Sequence, residues 1–131
     1  MKKILFTLLL IFTFNYSFAD SYPEIIGEAS YYSNRLHGRK TSSGELYNMH
    51  KFTCAHKTYP FGTVLKVTNL KNNASIHVTV NDRGPYAKSR IVDLSMAAAK
   101  ELNMVQSGVA RVKVEIVSMP ERKTKKKTRI G

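Results

Sequence analysis

Residues 109–118, VARVKVEIVS, alternate apolar and polar side chains. A period of two marks a strand with one buried face, because successive side chains leave a strand on opposite sides. Ala110, Val112, Val114 and Ile116 are expected to point inward, with Arg111, Lys113 and Glu115 pointing out. Ser75 to Asn81 repeats the pattern, with Ile76, Val78 and Val80 on one face and His77 and Thr79 on the other. Thr63 to Leu70 is a third, less regular strand. Lys71-Asn72-Asn73, between these last two, is a hairpin turn signal. Gly27 to Tyr32 reads as a first strand. One helix is expected over Met96 to Leu102, rich in helix formers and capped by Ser95. Short strands with one short helix describe a small barrel or sandwich. The chain of 131 residues has room for one such domain, and its 43% hydrophobic content suffices for one compact core.

The two ends have a different character. Met1-Lys2-Lys3 is a basic start, Ile4 to Phe14 is an apolar run, and Ser17-Phe18-Ala19 supplies small residues where a signal peptidase reads. Residues 1–19 are therefore expected to be a secretory signal cleaved before Asp20. The run is short of the ~20 residues a spanning helix needs. Cys54 is the one cysteine, so a lipid-anchor cysteine after the cleavage point is not expected. Residues 20–25 form a short N-terminal segment and 26–118 the folded domain. Residues 119–131 form a basic tail without apolar period, expected to be disordered. The tail is either a solvated, solubilising end or a tether to anionic envelope polymers or lipid. The formal net charge of +12 ordinarily suggests nucleic acid. Export redirects that expectation to envelope polyanions, so no nucleic-acid partner is expected. A monomer located in the periplasm or cell envelope is expected.

Composition narrows the chemistry. A single cysteine excludes an internal disulfide framework and a cysteine-rich zinc site. The histidines at 37, 50, 56 and 77 lack HExxH or comparable spacing, so no metal and no cofactor are expected. There is no GxSxG elbow, Walker loop or dinucleotide fingerprint. Without Trp, any sugar contact must use Tyr, Phe or polar groups.

Four loop segments remain. Asn81-Asp82-Arg83-Gly84-Pro85-Tyr86 follows a strand, which puts Asp82 at a strand exit; the same residue types also make an ordinary tight turn. Thr41 to Tyr47 is a polar loop containing Glu45. Cys54-Ala55-His56-Lys57 offers a cysteine and a histidine on alternate positions, although a free Cys beside Ala is more often buried packing. Arg90 to Ser95 contains Asp93, whose modest role would be to satisfy amides at the helix start.

Taken in order, GEASYY, HGRKTSSGELYN, CAHKTYPFGTVLKVTNLKN, VTVNDRGPY and RIVDLSMAAAKEL resemble the rare lipoprotein A family of bacterial envelope proteins. The resemblance covers Ile26 to Val117. It implies a mainly β fold, a six-stranded double-psi β-barrel with one or two short helices, and lytic transglycosylase activity on peptidoglycan glycan strands. Expansins, barwin-like proteins and some endoglucanases share that barrel. The matching motifs carry three catalytic candidates: Asp82 from Asn-Asp-Arg-Gly-Pro, Glu45 from Gly-Glu and His56 from Ala-His-Lys. Substrate-binding or supporting candidates are Asp93, Arg83, Tyr31, Tyr32, Lys57 and Tyr86. Tyr31 stands where the family usually has Trp, and is expected to stack on a sugar. Ser33, Asn48 and Cys54 stand where Gly, Asp and Ala are usual. The C-terminal sporulation-related domain common in the family is not read in this sequence.

The implied reaction needs one acid. Asp82 would protonate the glycosidic oxygen between N-acetylmuramic acid and N-acetylglucosamine, then take the C6 hydroxyl proton as a 1,6-anhydro ring closes. An ordinary Asp, with pKa ~3.9, is protonated in about one molecule in 10³ at pH 7. Asp82 is therefore expected to be raised by roughly 2–3 through burial or a neighbouring Glu45 or Asp93 carboxylate. Arg83 is expected to point away from it, to substrate or a backbone carbonyl, and His56 to bond Glu45 or Asp82 or to orient substrate. The alternative is a non-catalytic, expansin-like wall-binding module that keeps the groove and its Tyr31, Tyr32 and Tyr86 surface.

Overall fold

The computed structural model describes residues 21–121, with isolated positions 3, 11 and 13. The expected signal segment (1–19), apart from those isolated positions, and the basic tail beyond residue 121 lie outside the described residues.

Six strands close into a barrel. In chain order they are β1 (Ile25–Tyr31), β2 (Thr53–Ala55), β3 (Val64–Asn69), β4 (Ser75–Asp82), β5 (Arg90–Leu94) and β6 (Ala110–Ser118). Around the barrel the order is β1, β5, β2, β4, β3, β6. Two pairs are parallel, β1 with β5 and β2 with β4, and the other four are antiparallel. Helix α1 (Met96–Glu101) follows β5, and a 3-10 turn (Asn34–Leu36) follows β1.

The alternating segments become the long strands. On β6, Val112 and Val114 are buried and Arg111 is exposed. On β4, Val78 and Val80 are buried, facing Leu65 and Val67 of β3 and, through the closed sheet, Val92 and Leu94 of β5. β3 and β4 form the expected hairpin, and Asn73 takes the left-handed conformation (φ 60°) that the turn requires. Several boundaries move by one or two residues. Thr63 falls outside β3 because its hydroxyl donates to Pro60 O at 2.7 Å in a turn. β1 starts two residues early, at Ile25, because it pairs with Val114 of β6.

Helix α1 begins as expected: the Ser95 hydroxyl accepts from Ala98 N at 3.4 Å. It buries Met96, Ala98 and Ala99 against the barrel. Its end is tied to the β3–β4 hairpin, since the Asn69 and Asn72 side-chain amides both donate to Leu102 O, at 2.9 and 3.1 Å. Gly27 permits a close approach, because a Cβ there would lie 2.7 Å from the Ile91 side chain on the paired strand β5. Cys54 is buried in the core and burial pushes its thiol up, so it packs rather than reacts.

Candidate active site

Asp82 is the last residue of β4, where the strand leaves the barrel. Its Oδ1 accepts from the backbone N–H of Ser42 at 2.8 Å and of Arg83 at 2.9 Å. Its Oδ2 accepts from the Tyr32 hydroxyl. The carboxylate stands in an open cleft of about 300 Å³ that Tyr32, Arg39, Lys40, Tyr86, Arg90 and Asp93 also line. Four segments build this cleft: Tyr32 just after β1, the loop carrying Arg39, Lys40 and Tyr47, the end of β4 with its following turn from Asp82 to Tyr86, and Arg90 and Asp93 of β5.

The electrostatics correct one expectation. Burial raises the pKa of Asp82, but the hydrogen bonds from Tyr32, Ser42 and Arg83 outweigh it, and the net direction is down. The like-charge effect expected from Asp93 does not prevail. Asp93 accepts from Ser30 Oγ at 2.5 Å, and Arg90 stands 3.9 Å from the same carboxylate oxygen. Arg90 also donates to Ser30 Oγ at 2.9 Å. Asp93 therefore belongs to its own Ser30–Arg90 cluster, and the amide at the helix start is served by Ser95 instead. Tyr32 responds in the opposite sense: burial, then the hydrogen bond to Asp82, pushes its phenol up.

Glu45 lies beyond a shared wall. Tyr47 lines both the Asp82 cleft and a neighbouring hollow of about 470 Å³, and Glu45 faces the latter with His37, Asn48, Lys51 and Asn81. Its Oε2 accepts from Asn81 Nδ2 at 3.3 Å, so Glu45 and Asp82 are connected through adjacent residues of β4. The loop carrying Glu45 closes through a bridge between Lys40 and Leu46, and Gly44, at φ 92°, makes the turn.

The structure narrows the reading of His56 and changes that of Tyr31. The His56 side chain bonds neither Glu45 nor Asp82, although its backbone N–H donates to Asp82 O at 3.1 Å. Its Nδ1 accepts from Thr58 N and Tyr59 N, and its side chain turns to a separate hollow shared with Lys57, Ile25 and Ile91. Lys57 donates to Ala87 O at 3.3 Å. Tyr31 does not offer a sugar platform in the cleft, because its ring packs on the core and its hydroxyl donates to Val105 O at 2.6 Å. The reason is strand geometry: Tyr31 and Tyr32 are neighbours and leave β1 on opposite sides. Tyr86, at 90% exposure, is the free aromatic at the cleft edge.

Arg83 points away from Asp82, as expected, and donates to His56 O at 3.3 Å and Tyr59 O at 2.8 Å. Residues not singled out from the sequence are Ser30, Ser42, Tyr47, Arg39, Lys40 and Arg90. All lie inside the quoted motifs, which is the one signal that would have found them. Tyr47 braces the floor, with its ring edge-on to Tyr32 at 4.7 Å and its hydroxyl accepting from Met96 N. Among the described residues, no three His, Cys, Asp or Glu side chains come together to hold a metal ion.

The arrangement suits single-carboxylate proton transfer on a ligand lying along an open surface. Comparison with known proteins agrees with the fold. Residues 24–114 match the family model described as "Lytic transglycolase". The chain is 48% identical over 103 residues to the endolytic peptidoglycan transglycosylase RlpA of Campylobacter jejuni, covering 73% of this chain and 38% of that protein. It is 55% identical over 89 residues to the protein of the same name from Neisseria meningitidis, covering 68% and 37%. The chain thus spans well under half the length of these relatives. Among solved structures it superposes on a Streptomyces papain inhibitor with a TM-score of 0.61 at 22% identity, covering 76% of this chain and 98% of that one. A Clavibacter michiganensis expansin gives 0.60 at 22% identity, with 76% and 52% covered. Those two likenesses concern the barrel alone. With its closed six-stranded barrel and a match running from β1 into β6, the chain belongs to the lytic transglycolase family of double-psi β-barrel domains.

Proposed function

We propose that this chain is an endolytic peptidoglycan lytic transglycosylase, exported to the cell envelope, with Asp82 as its acid–base group. The observation that carries the reading is the placement of Asp82: a carboxylate oriented by two backbone amides in an open cleft. Sequence similarity to proteins named for that activity supports it.

Ordinary glycoside hydrolysis needs two carboxyl groups flanking the bond and an activated water. In the proposed reaction the substrate supplies its own nucleophile. Protonated Asp82 gives its proton to the glycosidic oxygen, and the bond from C1 of N-acetylmuramic acid to that oxygen breaks. The N-acetylglucosamine side leaves with the proton. The C6 hydroxyl then bonds to C1, and the Asp82 carboxylate takes the hydroxyl proton. The group ends protonated, as it began, and no water is consumed. The two backbone amides on Oδ1 orient the carboxylate, and Tyr86 offers an exposed ring for a sugar face at the edge. Glu45 is assigned to binding glycan beyond the Tyr47 wall, and Asp93 to supporting the floor.

The second reading is a non-catalytic wall-binding module. The hydrogen bonds that favour ionised Asp82 are the observation on its side, because a proton donor must first hold a proton. The experiment uses the chain from Asp20 and its Asp82→Asn variant on purified sacculi and on peptide-stripped glycan. Mass spectrometry reads the ends. Anhydro-muramyl ends from wild type and not from the variant support the transglycosylase. Reducing ends would mean that water attacks. Binding without cleavage would support the module.

A further inference from the structure

His56 is buried, with 8% of its surface exposed. Its Nδ1 accepts two hydrogen bonds, from Thr58 N at 3.1 Å and Tyr59 N at 3.0 Å. A ring nitrogen that accepts carries no proton, so the proton of the neutral ring sits on Nε2. The ring lies flat on Tyr59, with centroids 3.7 Å apart and planes 5° from parallel. Burial, then the Arg83 and Lys57 charges, holds its pKa down to about 4. These contacts fold residues 56–59 into a turn that aims two carbonyls at one point. Arg83 Nη1 donates to both, and its guanidinium carbon lies 4.0 Å from the centre of the Phe61 ring.

Arg83 follows Asp82 directly in the chain, so its guanidinium is a ready partner for that carboxylate. Among the described residues the two form no ion pair. An arginine within ~4–6 Å would hold the carboxylate ionised more firmly than hydrogen bonds already do.

We propose that His56 is a positioning residue: its acceptor nitrogen shapes the carbonyl-and-ring receptor that keeps the Arg83 guanidinium off Asp82. The inference rests on the reading of Asp82 as the acid–base group. It removes His56 from the proton-transfer path and gives it control over the charge beside that path.

The test is a carbon-13 NMR titration of the Asp82 carboxyl in the full chain. Wild type, His56→Ala, His56→Asn and the double variant His56→Ala/Arg83→Gln are compared. The other charged and titratable groups around the cleft are common to all four: Tyr32 after β1, Arg39, Lys40 and Tyr47 from the loop, Tyr86 from the turn, and Arg90 and Asp93 of β5. In His56→Ala, Asp82 is expected to titrate roughly one pH unit lower than in wild type, as the freed Arg83 reaches it. The double variant is expected to return to the wild-type position. His56→Asn, whose side-chain oxygen accepts N–H bonds, is expected to stay near wild type. An unchanged Asp82 titration in folded His56→Ala overturns the inference, as does a double variant that remains low. Should His56→Ala fail to fold, nitrogen-15 shifts of the wild-type ring at pH 7 decide. A proton on Nε2 supports the inference and a proton on Nδ1 overturns it. The titration needs no turnover, so absence of anhydro products would count against the proposed function and leave this result readable. If wild type is active, His56→Asn retains activity under this inference, whereas a proton-transferring His56 would lose it in both single variants.

Discussion

Tyr32→Phe is expected to raise the pKa of Asp82. The Tyr32 hydroxyl donates to that carboxylate and is the foremost of the hydrogen bonds favouring its ionised form, and the substitution removes it alone. The ring should stay where it is, edge-on to Tyr47. The two amide donors on Oδ1 also remain. A hydrogen bond to a charged group is worth ~1.5–3 kcal/mol, and water in the open cleft replaces part of it. A net loss of about 1.4 kcal/mol corresponds to roughly one pH unit. Asp82 is thus expected to titrate about one unit higher in the variant by carbon-13 NMR. If donor protonation limits the reaction, the falling limb of the pH–rate profile for anhydro-end release should move up by about the same amount. The plateau is expected to drop, since the carboxylate loses one of its orienting contacts. An Asp82 titration that stays put or moves down in Tyr32→Phe would refute the view that hydrogen bonds set its proton affinity.

Three further outcomes follow from the geometry. His56 titrates near 6.5 in an unfolded chain and near 4 here, so the unfolded state binds the extra proton between those values. Stability should therefore be full above pH ~6.5 and fall toward pH 4, by on the order of 1–3 kcal/mol after solvent screening; urea midpoints at pH 7 and 4.5 measure it, and an equal drop in His56→Asn would sink the assignment. Leu65→Ala, at a fully buried position of β3, should destabilise by ~2–5 kcal/mol, read by thermal unfolding. Gly84→Ala should destabilise by ~1–3 kcal/mol, because φ of 126° is open to few L residues, and should also disturb the turn that presents the Arg83 amide to Asp82; wild-type stability with an unmoved Asp82 titration would contradict it.

The long antiparallel strands were legible because β4 and β6 bury one face and wet the other, which writes alternation into the sequence. β2 and β5 were not. β2 has three residues, too few to show a period, and β5 has five, burying only Val92 and Leu94 on either side of Asp93, so it reads as a motif around that acid. The position of Asp82 at a strand exit could be read from Gly84-Pro85. Its proton affinity could not, since two of its donors are backbone amides whose direction belongs to the folded turn. The choice between Tyr31 and Tyr32 was equally hidden. Either can stack on a sugar, and the register of β1 on β5, with Tyr31 opposite Leu94, decides which one meets the cleft. Glu45, His56 and Asp82 were grouped by motif, whereas the barrel gives each a different hollow to face.

The last strand has a consequence for the order of events during synthesis. β6 lies between β1 and β3, so the earliest strand to leave the ribosome waits for the latest. Until Ala110–Ser118 arrives, β1 and β3 each keep an open edge, and Leu65 and Val67 lack the Val112 and Val114 layer. Contacts so distant in sequence close slowly. A chain of this topology commits to its barrel only after β6 is free to pair with both β1 and β3.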